Sequence, residues 1–255
     1  MSAAPELLYG SRPAASVRLL DREIEAEGGA PVVIENAELL YILHETPMRT
    51  TIPSLPASLH PSVPAVLGIT FVKAPQSPWG PFMAAWVGIA CRTGIKPRHF
   101  ITAAFCNNAD AADFLASRYG FNCKAADVGY RETFDRVRGV VEVDGRLVLD
   151  AAIIESLPLV GIGATIKYSP ALNGMRLGSG PALVQFEAAY DFKRVLRGRP
   201  RLAHYDSAAL GEASVIPTTA IAGSHAVCDL HLLPARFQVD LAVPAEAGGA
   251  GKIAR

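Results

Sequence analysis

Glycine and proline interrupt this sequence so often, 22 and 19 times in 255 residues, that long helices are excluded over most of it. Glycine weakens a helix interior through backbone entropy, and proline through its missing N–H and ring clash. The apolar runs between these breaks are short and rich in Val, Ile, Leu and aromatic residues, which predicts strands. Strands are expected over Val32 to Ile34, Leu39 to Leu43, Ala65 to Val72, Phe82 to Ala90, His99 to Phe105, Leu183 to Tyr190 and Ala226 to Leu233. Val140 to Val143 and Arg146 to Ile154 flank the pair Asp144-Gly145, which predicts a two-residue hairpin because both central positions of a type I′ turn need positive φ.

Two helices are expected. Asn108 to Tyr119 has a capping Asn108, carries Ala109, Ala112, Leu115 and Ala116 at helical spacing, and stops at Gly120. Thr46 to Ile52 is the shorter second one. The fold class is therefore α+β and mainly β, in one domain over residues 1–255, with 1–15 and 245–255 loosely ordered. A Rossmann arrangement fails because helices do not separate the strands. Gly161-Ile162-Gly163 and the stretch Gly174 to Gly180 read as turns, since neither matches a phosphate-loop pattern.

The chain carries 24 basic and 24 acidic side chains, with no run of either sign. That excludes the electrostatic footprint of a nucleic-acid or anionic-membrane partner and points to a small molecule. Met1 to Ser16 lacks the order of a secretory signal, and no apolar run is long enough to span a bilayer. The expectation is a cytoplasmic chain whose cysteines, Cys91, Cys106, Cys123 and Cys228, are reduced. Their spacing matches no zinc motif. Six histidines occur; His225 and His231 share a strand face, but no third ligand stands at a telling spacing, so no metal and no cofactor are expected. Ser179 and Ser224 lie beside glycines without a nucleophile-elbow pattern and read as turn residues.

Lys124 follows the predicted helix through Tyr119-Gly120-Phe121-Asn122-Cys123. Two readings stand. Its charge can sit in water and serve the helix C-terminus. Alternatively, apolar neighbours strip its hydration, lower its pKa and free the amine to attack a carbonyl.

Four segments in order resemble the acetoacetate decarboxylase family. They are Ile42 to Pro47 leading to Ser54-Leu55-Pro56-Ala57-Ser58-Leu59-His60-Pro61; Ser77-Pro78-Trp79-Gly80-Pro81-Phe82; Asn107-Asn108-Ala109-Asp110-Ala111-Ala112 leading to Arg118 through Lys124; and Ser224 to Leu230. The resemblance implies a β-rich, cone- or barrel-like fold with few flanking helices around an apolar pocket, and a homo-oligomer. It also implies a lysine pair, of which the first forms a Schiff base with a β-keto acid and the second lowers its pKa. Against that pattern the first lysine falls on Cys123, the second on Lys124, the preceding proline on Asn122, the strand glutamate on Ala84 and the arginine near Ala37, beside Glu35 and Glu38. Without the arginine and glutamate, acetoacetate itself fits poorly.

Three readings follow. In the first, Lys124 forms the imine and the chain is a lyase of a small or polyketide-like keto compound, by decarboxylation, aldol cleavage or dehydration. In the second, the fold acts without an imine as a cyclase, isomerase or dehydratase of a less polar carbonyl compound, with Lys124 as donor or base. In the third, the chain binds a small molecule without catalysis. Cys123 is either a nucleophile whose thiolate Lys124 favours or a buried inert thiol. Trp79, Phe82, Met83, Ala84, Trp86, Phe121 and Asn122 are the expected substrate-binding residues. Glu155, Glu187 and His204 are candidates for the missing acid.

Overall fold

The computed structural model describes residues 8–22, 31–94, 96–159, 166, 168–247 and 250–252. In chain order the elements are β1 (Val32–Glu45), α1 (Met48–Ser54), β2 (His60–Pro61), β3 (Val66–Ala74), β4 (Phe82–Thr93), β5 (Lys96–Cys106), α2 (Ala109–Tyr119), β6 (Cys123–Ala125), β7 (Asp127–Glu132), β8 (Arg136–Val143), β9 (Arg146–Pro158), β10 (Ala171–Leu177), β11 (Gly180–Phe186), β12 (Ala188–Tyr205), β13 (Ala220–Leu232), β14 (Phe237–Asp240) and β15 (Ala250–Lys252). The strands form one open hydrogen-bonded sheet in the order β15-β14-β11-β10-β5-β4-β3-β1-β13-β12-β9-β8-β7, with β2 branching from β4 and β6 from β5. No helix among the described residues is long and apolar enough to cross a membrane.

The middle of the sheet is buried on both faces, which explains why its strands read as nearly continuous apolar runs. On one face Leu40, Ile42, Ile69, Phe71, Val87, Ile89 and Phe105 pack against Val137, Val141, Leu149 and Ile153 of the β8–β9 hairpin. On the other, Leu39, Val72, Ala84, Ala104 and Leu230 pack against Ala111, Leu115 and Tyr119 of α2 and against Phe186 of β11. Gly139 of β8 lets the hairpin settle onto the central strands: a Cβ there would lie 2.5 Å from Cγ of Phe71.

Local signals act as expected at the turns. Asn108 accepts a hydrogen bond from the Ala111 N–H at 2.9 Å, and Gly120 closes α2 at φ 73°. Asp144 and Gly145 both adopt positive φ, 52° and 73°.

Several expectations are corrected. The run Leu183 to Tyr190 breaks at Glu187 into β11 and the start of β12. The short helix lies at Met48–Ser54 instead of Thr46 to Ile52, beginning after Pro47. Gly174 sits inside β10, where the Arg18 carbonyl occupies the space of a side chain; Gly178 and Ser179 do form a turn, and Ser224 lies in β13. Gly161-Ile162-Gly163 lies outside the described residues. Residues 8–15 are tied down, Gly10 donating to the Leu59 carbonyl at 2.9 Å and Arg12 pairing with Glu212. Near the other end, β15 pairs with β14.

Candidate active site in the aromatic core

Cys123 and Lys124 are neighbours on β6, which pairs with β5 so that Cys123 faces Ala104 and Lys124 faces Phe105. Successive strand residues point to opposite faces, and that alternation separates the two. Cys123 packs into the aromatic core with Ala84, Trp86 and Phe121. The Lys124 side chain leaves on the other face and is exposed. Its Nζ lies 5.9 Å from the centre of the Phe105 ring and donates to the Ala209 carbonyl at 3.4 Å. It lines a hollow of about 150 Å³ with Arg12, Asn122, Asn173 and Glu212. An amine held dry beside Phe121 is therefore not what the structure contains. Burial and the neighbouring Cys106 push the Cys123 thiol up to about 12, so it is a neutral thiol, not the thiolate nucleophile considered from sequence.

The three positions where the resemblance places an arginine, a glutamate and the first lysine, namely Ala37, Ala84 and Cys123, all fall in this one apolar core. Glu38, next to Ala37, turns to the opposite face and accepts a hydrogen bond from Lys73 at 2.7 Å. Of the expected substrate-binding residues, Trp79, Phe82, Ala84, Trp86 and Phe121 belong to the aromatic core, and only Trp86 of them lines the cavity within it. The Trp86 ring lies 5.2 Å from Phe121 and 6.0 Å from Phe186. Met83 packs on the opposite core, and Asn122 lies at the Lys124 hollow. The proposed substitutes for the missing acid are elsewhere. Glu155 pairs with Arg199 at 3.1 Å, Glu187 accepts from Gln185 at 2.9 Å, and His204 is exposed.

Within the aromatic core is a cavity of about 30 Å³ lined by Leu39, Tyr41, Thr70, Val72, Trp86, Tyr168, Ser169, Ala171, Phe186, Tyr190 and Leu230. At roughly 10–15 Å³ for each water-sized occupant, it holds a group of about two heavy atoms. Its polar wall is made of tyrosines. Tyr41 meets Tyr168 edge-on at 5.2 Å and His99 edge-on at 6.0 Å, with its Oη 3.4 Å from His99 Nε2. The imidazole fits only because residue 68 is glycine, whose added Cβ would stand 2.7 Å from Nε2. Burial lowers His99 to about 4, so the ring is neutral at pH 7. Burial raises Tyr41, Tyr168 and Tyr190 above the ordinary phenol value, so each keeps its proton. The Tyr168 hydroxyl is buried and has no hydrogen-bond partner among the described residues. Sequence reasoning missed Tyr41, His99, Tyr168 and Tyr190; the available signal was a tyrosine inside the apolar run of β1 and a histidine at the start of the apolar run of β5, whereas Tyr168 precedes β10 outside any strand and Tyr190 opens the charged strand β12.

Three side chains could hold a metal. One ligand atom each from Glu38, Glu132 and His225 lies within 4.8 Å of the others. His225 and His231 do share a face of β13, but His231 stands apart, bonded to Asp191 at 2.9 Å.

No protein-family model matches the sequence, and no curated relative does either. Solved structures do match in fold. Acetoacetate decarboxylase from Legionella pneumophila is 18% identical with a TM-score of 0.69, over 92% of this chain and 97% of that one. The enduracididine biosynthesis enzyme MppR, complexed with the condensation product of pyruvate and imidazole 4-carboxaldehyde, is 13% identical with a TM-score of 0.65, over 87% and 97%. An acetoacetate decarboxylase-like enzyme from Sphingomonas wittichii is 12% identical with a TM-score of 0.62, over 92% and 99%. These superpositions cover 87–92% of the chain, so the chain has the acetoacetate decarboxylase fold.

Proposed function

We propose that this chain is an enzyme that takes the carbonyl end of a small or polyketide-like compound into the tyrosine-walled cavity and promotes an enol-forming reaction, an isomerisation, cyclisation or dehydration, without an imine at Lys124. One observation carries the reading. Where the family resemblance calls for charged groups the core has Ala37, Ala84 and Cys123, while neutral hydroxyls of Tyr41 and Tyr168 line the remaining space. A structure of the same fold is complexed with the condensation product of pyruvate and imidazole 4-carboxaldehyde, which supports carbonyl compounds in general as the substrate class.

The chemistry follows from charge development. When a solvent base, water or hydroxide, takes the proton beside the carbonyl, negative charge moves onto its oxygen; preformed donors in a dry site stabilise that charge without reorganising, and the proton returns from solvent to carbon. In the tautomer with a proton on Nε2, His99 donates to Tyr41 Oη and leaves the phenol proton free to point at the substrate oxygen. Tyr168, whose hydroxyl makes no hydrogen bond of normal geometry among the described residues, supplies a second donor. With no arginine among the described residues of this core, a free carboxylate on the substrate gains nothing from them, so ketones and diketones are favoured over keto acids.

The test is exchange of protons α to the carbonyl in a panel of ketones and β-diketones in D₂O, followed by NMR. Exchange above the buffer rate is expected, with Tyr41→Phe lowering it about 10²-fold and Lys124→Ala leaving it unchanged. Binding without exchange across the panel would replace this reading with a non-catalytic binding protein. The imine-forming lyase is the second reading, favoured by the hollow of about 150 Å³ that Lys124 lines beside Asn173, whose buried Nδ2 has no partner among the described residues.

A further inference from the structure

Among the described residues, the side chain with the most unpartnered buried polar atoms lies away from the tyrosine cavity. His225 on β13 is 1% exposed, and both of its ring nitrogens lack a hydrogen-bond partner among the described residues. Leaving a buried polar group unpaired costs about 1–3 kcal/mol, and such groups are uncommon in folded proteins. Two carboxylates from strands far away in sequence, Glu38 of β1 and Glu132 of β7, reach toward this imidazole, with one ligand atom from each of the three within 4.8 Å of the others.

We propose that Glu38, Glu132 and His225 bind one divalent transition-metal ion, with zinc as the best fit, and that the ion fastens the edge strand β7 to the central strands β1 and β13. The ligand set is an imidazole and two carboxylates, a mixture that suits zinc better than magnesium or calcium, which prefer all-oxygen shells. Each carboxylate is already oriented through one oxygen. Lys73 Nζ holds Glu38 Oε1 at 2.7 Å, and an Arg194 nitrogen holds Glu132 Oε2 at 2.6 Å. Partners of this kind are how ligating carboxylates are commonly positioned, and the second oxygen of each remains for the ion. The Lys73 and Arg194 charges also balance the two carboxylates, so affinity must come from inner-shell bonds instead of net negative charge. Zinc–ligand bonds of about 2.1 Å set ligand atoms about 3.4 Å apart in a tetrahedron, so the cluster must contract. The Glu132 side chain, 28% exposed at the end of the edge strand, has room to do so. The buried, unpartnered Tyr130 hydroxyl lies on the same strand, its ring centre 6.1 Å from that of His225, and could hydrogen-bond a water in the fourth position.

The experiment uses the full chain stripped with a chelator, titrated with zinc by calorimetry and with cobalt(II) by visible absorption. One equivalent is expected, with a cobalt d–d band and no thiolate charge-transfer band. Glu132→Gln, at the surface and compatible with folding, should weaken binding at least tenfold, and His225→Gln should do the same. His231→Gln should leave it unchanged. Zinc should raise the Tm of the parent chain and not that of Glu132→Gln. The proposal is overturned if no stoichiometric binding is seen, if a thiolate band appears, if Glu132→Gln and His225→Gln bind as the parent does, or if His231→Gln abolishes binding. In the last case the ion belongs to the surface pair with Asp191, and with no binding at all an ordered water is what completes His225.

Discussion

Cys123 and Lys124 are separated by one peptide bond and by the thickness of a sheet. Which of two adjacent residues enters a core depends on strand parity, and β6 has only three residues, too few for a hydropathy pattern to reveal its phase. The sequence therefore located the segment, while the side of entry came only from the pairing of β6 with β5. The consequence is measurable at the thiol. Burial pushes Cys91, Cys123 and Cys228 up to about 12 and raises Cys106 in the same direction, so thiolate at pH 8 is scarce and access is poor. Iodoacetamide at pH 8 should label the native chain at least 10²-fold more slowly than the urea-unfolded chain at all four positions, read by peptide mass spectrometry. Rapid labelling of Cys123 in the native chain would restore its nucleophile role. Tyr41 and His99 show the complementary difficulty: each sits in a strand the sequence identified, yet their meeting across strands β1 and β5 is a tertiary fact.

Among the elements, α2 and the β8–β9 hairpin were legible because their ends carry residues with local reasons to be there. Asn108 caps the helix and also donates through Nδ2 to the Trp79 carbonyl at 2.9 Å, so Asn108→Ala should cost about 1–2 kcal/mol, measured as a lowered urea midpoint at constant slope. Gly139 in β8 carried no such local sign. Its requirement comes from the Phe71 ring on β3, and Gly139→Ala should destabilise by about 1–3 kcal/mol through overpacking. Shortening the partner with Phe71→Leu should recover part of that loss in the double variant, and strictly additive effects would contradict the contact. Strand β12 was the hardest element to read. It runs from Ala188 to Tyr205 with Arg194, Arg197, Arg199 and Arg201 exposed, and it contains Gly198 and Pro200. Pro200 is tolerated because the pairing with β13 ends at Gly198, so its missing N–H breaks no ladder on that side.

At the scale of the whole molecule, the mainly β class and the decarboxylase-like fold were legible because two-sided burial writes long apolar runs and the landmark segments keep their order. The pocket chemistry was not, because it depends on which polar groups are dry. That dryness has a stability signature. His99 and His225 titrate near 4 when folded against about 6.5 when unfolded, so between these values the unfolded chain binds more protons. Their contribution is complete above about pH 6.5 and is lost as pH falls toward 4, on the order of 3 kcal/mol for each histidine. His44 is lowered in the same direction, and Glu132, lowered by Arg194, also loses its contribution on acidification. Urea midpoints in chelator should therefore fall steeply from pH 7 to 4.5, and His99→Gln should flatten that slope. The account as a whole turns on whether carbonyl chemistry here proceeds without a lysine imine. The direct measurement is borohydride reduction of the chain during turnover of a ketone that it exchanges or converts, followed by peptide mass spectrometry: an unmodified Lys124 peptide with turnover intact is the predicted result, and a reduced substrate adduct on Lys124 would contradict it.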